Sequence, residues 1–312
     1  MKVLQVKKPT SIPVNRVAFE QANGGEPTVG SSQKVLGTPE PHDSDYGTTH
    51  KTGVIKHEKK IWFADLYAGM ILMDSDNGIH PVSMEYKVHN FVSSRFANFL
   101  ADGIQNISIY SAYDEYHGLV YFSFQDSINS SLNFTIAFID GDETERGFLM
   151  FDFIPDFYGW TKDVVTSWKN GLWVHNSNEV PLMNFYGTQY YPVISFVVNK
   201  QGAIVKDHKA ISLTATEEWF APNVGDLMID ANGTYREKQT KIPKGKFRKK
   251  EGKYYTDIPR NMMTHSKTPS MGDMLNGDVM RGQTMKVTLT NDTKTDSDMT
   301  AVQVDSIYSI GT

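Results

Sequence analysis

The stretch ISIYSAYDEYHGLVYFSF, at residues 107–124, decides the fold class of this chain. Two runs rich in β-branched and aromatic residues, 107–113 and 119–124, flank the turn-type cluster DEYHG. Such runs on either side of a short polar segment predict a β-hairpin. The same rhythm returns downstream, where the runs 134–140 and 148–154 flank a second polar cluster. Together the two hairpins predict a meander of antiparallel strands.

The strand pattern extends in both directions from this centre. Upstream, the runs 61–66, 69–73 and 79–83 are separated by turn residues such as DNG at 76–78, which is the strongest short hairpin signal. Downstream, short strands recur about every ten residues from 163 to 199. Groups of four short strands are typical of propeller blades, and a sandwich gives a similar pattern. We predict an all-β, mainly antiparallel fold with β-propeller-like blades, a β-sandwich or both.

One segment departs from the strand pattern. Between residues 84 and 100, apolar residues recur at spacings of three, four and one, which places them on one stripe of a helix that begins near Ser83. The stripe consists of Met84, Val88, Phe91, Val92, Phe96, Phe99 and Leu100. Because any docked helix needs such a stripe, we expect this amphipathic helix to pack against a sheet.

Residues 1–60 predict an extended N-terminal arm or loop. Two aromatic residues, five prolines and six glycines lie between Lys7 and Lys60. Such a segment buries too little apolar surface to offset its ordering entropy, so it needs a neighbouring surface or stays a flexible tail. Within the arm, residues 14–21 could form one short strand, and a neighbouring subunit could supply the surface.

The rest of the chain divides into two predicted regions. Residues 61–200 form a β-rich, propeller-like region that includes the helix. Residues 201–312 form a β-rich C-terminal region that contains a basic loop at 236–253 and a final hairpin. The strands of that hairpin are expected at 284–290 and 300–306, because both runs alternate polar and apolar residues around a charged loop.

The composition excludes several classes of function. The 312 residues include no cysteine, which removes disulfide frameworks, thiolate nucleophiles, Cys-ligated zinc and iron–sulfur clusters. The formal net charge of −5 gives no global reason to expect nucleic-acid binding. No run approaches the roughly 18 apolar residues that a membrane helix needs, so we expect no membrane span.

A search for catalytic and metal-binding patterns assigns no catalytic residue, no cofactor and no metal ligand. Nucleophile elbows, phosphate-binding glycine loops, dinucleotide fingerprints and HExxH pairs are absent from the sequence. DSDNG at 74–78 with Glu85 has the outer spacing of a calcium loop, but Ile79 stands where that loop requires glycine. Carboxylates in turns near tryptophans support a second hypothesis for the function, namely a carbohydrate-binding or glycan-cleaving domain. These residues are Asp114, Glu115, Asp140, Asp142, Asp152 and Asp156, with Trp160, Trp168 and Trp173.

The sharpest local feature is the basic segment REKQTKIPKGKFRKKEGK at 236–253. It carries nine basic and two acidic residues, a net charge of +7, so the remaining 294 residues carry −12. The basic residues are Arg236, Lys238, Lys241, Lys244, Lys246, Arg248, Lys249, Lys250 and Lys253. The segment could face an acidic patch of a neighbouring subunit, the phosphates of DNA, or water. Of these we favour the acidic patch of a neighbouring subunit, with DNA contact second.

A series of motifs follows from about residue 106 to the C-terminus, over roughly two thirds of the chain. The motifs are SAYDEYHGLVYFSF (111–124), TIAFID (135–140), RGFLMFDFIPDFYGW (146–160), WKNGLWVHNSNEVPLMNFYG (168–187), VISFVVNK (193–200), VKDHKAISL (205–213), EGKYYTDIPRN (251–261) and MRGQTMKVTLTND (280–292). Their order resembles the C-terminal part of the tail muzzle proteins of crass-like, short-tailed bacteriophages. Tail nozzle and stabilisation proteins of other short-tailed phages are related in kind.

The resemblance implies a structural protein of the virion tail rather than an enzyme. Its expected place is a homo-oligomeric ring at the distal end of the tail, where it lines or closes the conduit for DNA ejection. Expected partners are further copies of the chain, other tail proteins and, transiently, genome DNA in the lumen. Proteins of this kind are much longer, so the N-terminal part of the same precursor is a further expected partner. Assembly is expected in the host cytoplasm.

Overall fold

The computed structural model describes residues 2–19, 28–142, 146–229, 235–262, 277–293 and 298–308. Within these ranges the side chains of 15–19, 28–35, 227–229 and 235–237 lie outside the description. The chain divides into two compact units, Met1–Ser177 (unit 1) and Asn178–Thr312 (unit 2). The three regions with boundaries near residues 60 and 200 stay a prediction, and the two units are described separately here.

The N-terminal segment of unit 1 contains five strands. They are β1 (Lys2–Val3), β2 (Thr10–Ser11), β3 (Val14–Phe19), β4 (Thr28–Leu36) and β5 (Glu40–Pro41). Strands β1, β2 and β5 form one small antiparallel sheet, and β3 pairs with β4. The strand considered possible at 14–21 is therefore present as β3.

The arm is extended, as predicted, but its own chain supplies the neighbouring surface. The Lys2 ammonium donates to both carboxylate oxygens of Asp74 at 2.6 and 2.7 Å. The amide of Gly47 donates to the Asp65 carboxylate at 2.8 Å. An ion pair to a fully buried carboxylate orders a segment that has few apolar side chains. These contacts tie the arm to its own chain, and its ordering by a neighbouring subunit stays a prediction.

Two four-stranded meanders follow the arm. The first has the order β6 (Val54–His57), β7 (Lys60–Asp65), β8 (Met70–Ser75) and β9 (Gly78–His80). The second has the order β10 (Ile107–Asp114), β11 (Leu119–Asp126), β12 (Phe134–Ile139) and β13 (Gly147–Phe151). The second meander forms where the hairpin signals predicted it; in the first, β7, β8 and β9 overlap the predicted runs, but β6 lies within the segment predicted as an arm. Every strand pair is antiparallel. The all-β prediction is confirmed, and the propeller arrangement stays a prediction.

The predicted helix lies between the two meanders. It is interrupted: α1 (Val82–Glu85) and α2 (His89–Asp102) are separated at Lys87, whose φ is +62°. The Phe96 ring lies 5.0 Å from that of Phe124, and the Phe99 ring stacks on Phe134 at 6.1 Å. Both helical phenylalanines are fully buried, so docking of the helix on a sheet is confirmed.

A three-stranded sheet completes unit 1. Its order is β14 (Phe157–Trp160), β15 (Val165–Trp168) and β16 (Leu172–Val174), all antiparallel. One face of this sheet is buried at Val165 and Ser167. The hydroxyl of Tyr158, on the same face, lies 2.8 Å from the Ser123 hydroxyl of β11.

Unit 2 contains a hairpin and two larger sheets. The hairpin consists of β17 (Asn184–Phe185) and β18 (Thr188–Gln189). The remaining strands are β19 (Val193–Val198), β20 (Lys206–Ala215), β21 (Phe220–Ile229), β22 (Tyr235–Ile242), β23 (Arg248–Lys250), β24 (Lys253–Asp257), β25 (Arg281–Gly282), β26 (Thr284–Thr290) and β27 (Met299–Tyr308). One sheet has the strand order β19-β26-β21-β22. The other has the order β23-β24-β20-β25, and β27 also pairs with β20. Buried side chains from both sheets share one core.

The predicted final hairpin is wrong. Both strands exist at the predicted positions, but β26 pairs with β19 and β21, whereas β27 pairs with β20 in the other sheet. The side chains of Met285, Val287 and Leu289 are fully buried on one face of β26, while β19 and β21 occupy its two edges. Alternation of polar and apolar residues identified the strands but not their partners.

Candidate functional site

The basic segment of unit 2 is held in place by local structure. The Phe247 ring is buried in the core of the unit and anchors the loop that precedes β23. The turn between β23 and β24 has two residues, Glu251 (φ +52°) and Gly252 (φ +78°), and the pair Lys250–Lys253 closes it. Positive φ at both central residues is the signature of the tight hairpin turn that matches strand twist. Rigid backbone therefore fixes where the basic side chains point.

Strand alternation separates the basic residues of β23. Arg248 and Lys250 lie on one face, and Lys249 lies on the other, with its ammonium 5.1 Å from the centre of the Tyr254 ring. An open cleft of about 680 Å³ lies on the first face. We call it the basic cleft; it is lined by Ala210, Lys246, Arg248, Lys250, Glu251, Tyr255, Thr256 and Asp257.

The structure brings three of the nine predicted basic residues together and places the others elsewhere. Lys246, Arg248 and Lys250 line the basic cleft. The Lys244 ammonium donates to Asp292 at 2.7 and 2.9 Å, and that of Lys238 donates to the Val279 carbonyl at 2.9 Å.

Of the remaining four, Lys249 lies over Tyr254, Lys241 and Lys253 are exposed, and the side chain of Arg236 lies outside the described residues.

The basic cleft has a mixed lining with a positive balance. Lys246, Arg248 and Lys250 are opposed by the carboxylates of Glu251 and Asp257, and Lys250 lies 3.9 Å from Glu251. Exposed pairs of this kind contribute little to stability, so the cations stay available for an anionic partner. Carboxylates and phosphates are the groups that Lys and Arg recognise at such a surface.

A second candidate surface is the outer face of the three-stranded sheet in unit 1. Phe157, Trp168 and Leu172 lie directly opposite one another on three adjacent strands, and Val174 shares their face. The exposed fractions of the three aligned side chains are 47, 42 and 66%. The Phe157 and Trp168 rings stack at 6.1 Å. We call this set the apolar face; contiguous exposed apolar residues of this kind mark interaction sites.

Three of the six carboxylates considered for glycan cleavage are engaged in structure. The Asp114 carboxylate accepts hydrogen bonds from the amides of Tyr116 and His117 and from the Asn176 side chain. Asp140 pairs with Lys60 at 2.6 Å, and Asp156 pairs with Lys169 at 2.9 Å. The sequence also pointed weakly to a calcium loop at Asp74, but that carboxylate is fully buried and bonded to Lys2. Within the described ranges, no group of three or more possible metal ligands occurs.

A buried polar cluster in unit 2 was not predicted. The Nε2 atom of His208 lies 3.6 Å from Oδ1 of Asp226, and both side chains are completely buried. Neither that nitrogen nor either carboxylate oxygen of Asp226 has a hydrogen-bond partner among the described residues. Burial raises the pKa of Asp226 to about 7 and lowers the pKa of His208 to about 4. The neighbouring Lys206 ammonium donates to the carbonyls of residues 200, 201 and 204.

Local signals could have revealed the apolar face but not this cluster. Once the register of β14, β15 and β16 is known, strand alternation puts Phe157, Trp168 and Leu172 on one side. His208 and Asp226 are 18 positions apart on separate strands, and nothing in either neighbourhood indicates that they meet.

The family comparison bears on unit 2. Residues 182–261 match the model of the Crassvirus muzzle protein C-terminal domain. The resemblance to a Crassvirus muzzle protein is confirmed. The matched segment, which we call the muzzle domain, spans about a quarter of the chain and contains the whole basic segment. No curated protein matches the chain.

The muzzle domain implies a structural protein of the phage virion and a location in the virion tail. It also indicates association with other virion proteins. In the described ranges, no helix has the length and apolar character needed to cross a membrane. Basic and apolar surfaces that remain exposed in a single copy are compatible with a protein that works in an assembly.

Proposed function

We propose that the chain is a subunit of a homo-oligomeric ring at the distal end of the phage tail, the muzzle or nozzle, which lines or closes the DNA ejection conduit. The observation that carries this proposal is the match of residues 182–261 to the muzzle domain. Assembly takes place in the host cytoplasm, and genome DNA passes the ring only transiently. The role is mechanical and not enzymatic.

The apolar face supports an assembly function. A sheet face that exposes Phe157, Trp168 and Leu172 to water is unfavourable for an isolated chain, because complete burial of such a side chain is worth roughly 1.5–3 kcal/mol and about half of each is still exposed. Contact with another tail component would remove this apolar surface from water.

Immunogold labelling of purified phage particles tests the proposed location. Antibodies raised against the full chain are expected to label the tail tip, and preabsorption with the chain provides the control. Label confined to the capsid, or particles whose mass spectra lack the chain, would refute the tail-ring role.

A glycan-binding function is the second candidate, and the stacked pair Phe157–Trp168 favours it, because exposed aromatic rings can stack on sugars. The aliphatic neighbours Leu172 and Val174 fit a protein partner better, since they offer no polar group to a sugar. A glycan array probed with the wild-type chain and Trp168→Ala decides between them. Binding that Trp168→Ala abolishes would support the glycan function, and a blank array would remove it.

A further inference from the structure

The basic cleft has three exposed cations in its lining, and unit 1 presents a surface of opposite charge. Three turns carry it: Glu58 lies between β6 and β7, Glu115 between β10 and β11, and Asp142 between β12 and β13. The β10–β11 and β12–β13 turns lie at the same end of the second meander, because consecutive strands run in opposite directions. The amide of Asp140 donates to the Gly118 carbonyl at 2.7 Å and joins those two turns.

The negative charges of these turns converge around Tyr113. Burial, followed by the carboxylates of Asp140, Glu115, Glu58 and Asp114, raises the pKa of Tyr113 to about 12. The salt bridge from Lys60, at the start of β7, to Asp140 links the first meander to the second at 2.6 Å. Glu58 therefore belongs to the same end of unit 1 as the other acidic turns.

Part of this acidic charge is not used inside the chain. Asp114 and Asp140 are bonded as described above, but Glu58, Glu115 and Asp142 are exposed. Their carboxylates have no hydrogen-bond or ion-pair partner among the described residues. We call these three residues the acidic end. On the other unit, Lys246 and Arg248 are likewise without an ion-pair partner in the described ranges.

We propose that the basic cleft of one copy binds the acidic end of a second copy, head to tail, through Lys246, Arg248 and Lys250 against Glu58, Glu115 and Asp142. This inference rests on the proposed function, because it names the contact that joins neighbours in the ring. The two surfaces differ, so the contact is heterologous. Heterologous contacts produce rings when the rotation between copies closes.

A second copy fits the cleft better than DNA does. Glu251 and Asp257 belong to the cleft lining and would repel a phosphate backbone, which is negative throughout. The carboxylates of the acidic end instead match the three cations of the cleft in number, and Lys59 beside Glu58 is already paired with Asp76 at 3.0 Å. The charge totals agree, since the basic segment carries +7 and the rest of the chain −12. Complementary patches of this kind set partner choice and register.

Charge reversal in the full chain tests the contact. The cleft variant carries Lys246→Glu and Arg248→Glu, and the end variant carries Glu58→Lys and Glu115→Lys. Each variant alone reverses two of the three charges on one side of the contact, so we expect its association constant at low salt to fall at least about tenfold. An equal mixture restores opposite charges between the cleft of one variant and the acidic end of the other, and association between the two variants is expected to return.

Sedimentation velocity measures the assembly, and circular dichroism checks that each variant is folded. The matched control for the cleft variant is Lys200→Glu with Lys286→Glu, because both lysines are exposed in unit 2, lie outside the basic segment and do not line the cleft. This control has the same change of net charge and is expected to assemble like the wild type. Salt of about 0.5 M should weaken wild-type assembly, because the exposed charges are then screened.

Three outcomes would overturn the proposal in different ways. If the cleft variant assembles like the wild type, the proposed contact is wrong and the ring must form through another surface. If the two variants do not associate with each other in the mixture, the two surfaces are not partners. If the cleft variant assembles normally but loses affinity for duplex DNA in fluorescence anisotropy, nucleic acid is the occupant of the cleft. A wild-type chain that never associates contradicts the proposed function itself.

Discussion

The buried pair His208–Asp226 predicts two opposing pH effects on the stability of unit 2. The pKa of Asp226 is raised from 3.8 to about 7, so the folded state binds this proton more tightly, and stability falls as pH rises through that range. The pKa of His208 is lowered from 6.5 to about 4, so stability falls as pH drops through that range. The cause in both cases is burial of the charged form away from water, with Lys206, Asp207 and Lys238 as the nearby charges.

The magnitudes follow from the two shifts. From pH 5 to pH 8, titration of Asp226 lowers the free energy of unfolding by about 2.5 kcal/mol, whereas titration of His208 raises it by about 2 kcal/mol. In the wild type the two effects nearly cancel. The free energy of unfolding of Asp226→Asn, measured relative to wild type, should therefore be about 2.5 kcal/mol higher at pH 8 than at pH 5. His208→Gln should lose about 2 kcal/mol over the same interval.

Amide hydrogen exchange followed by mass spectrometry is the assay. Peptides from β20 and β21 report the opening free energy of unit 2 separately from unit 1, after correction for the intrinsic pH dependence of exchange. Asp305→Asn, on the exposed face of β27, controls for loss of one carboxylate. If the difference between Asp226→Asn and wild type is the same at pH 5 and pH 8, the reasoning is refuted.

Two further predictions concern unit 1. Lys2→Ala should destabilise the unit by about 2–3 kcal/mol, because it leaves the fully buried carboxylate of Asp74 without its partner. Thermal denaturation measures the loss, and an unchanged melting temperature would contradict the role of the arm. Gly53→Ala should lower the free energy of unfolding by about 1–3 kcal/mol, since its Cβ would lie 2.6 Å from Cγ2 of Ile109. Gly147→Ala has open space at the Cβ position and should lower it less in the same denaturation assay. Equal losses would contradict this account of packing.

Local patterns predicted the elements well because local physics determines them. The hairpin at 107–124 and the turn at 76–78 form where turn residues separate apolar runs. The helix stripe identified Phe96 and Phe99 correctly as core residues. The break at Lys87 was missed because a left-handed residue inside an apolar stripe leaves no periodic signal.

Contacts between distant positions were beyond the sequence. Lys2 and Asp74 are 72 residues apart, and β27 pairs with a strand about ninety residues earlier. Periodicity identifies a strand face, but it does not identify the neighbour that covers it. The candidate site shows the same limit: the charge of the basic segment was evident, but only strand alternation separates Arg248 and Lys250 from Lys249.

The mass of the full chain in solution, measured by light scattering across a range of concentrations at low salt, tests the central claim most directly. The ring account predicts a discrete oligomer of fixed copy number larger than a dimer, because a heterologous contact closes only as a ring. A chain that remains monomeric at every concentration, and in the presence of other tail proteins, would contradict it.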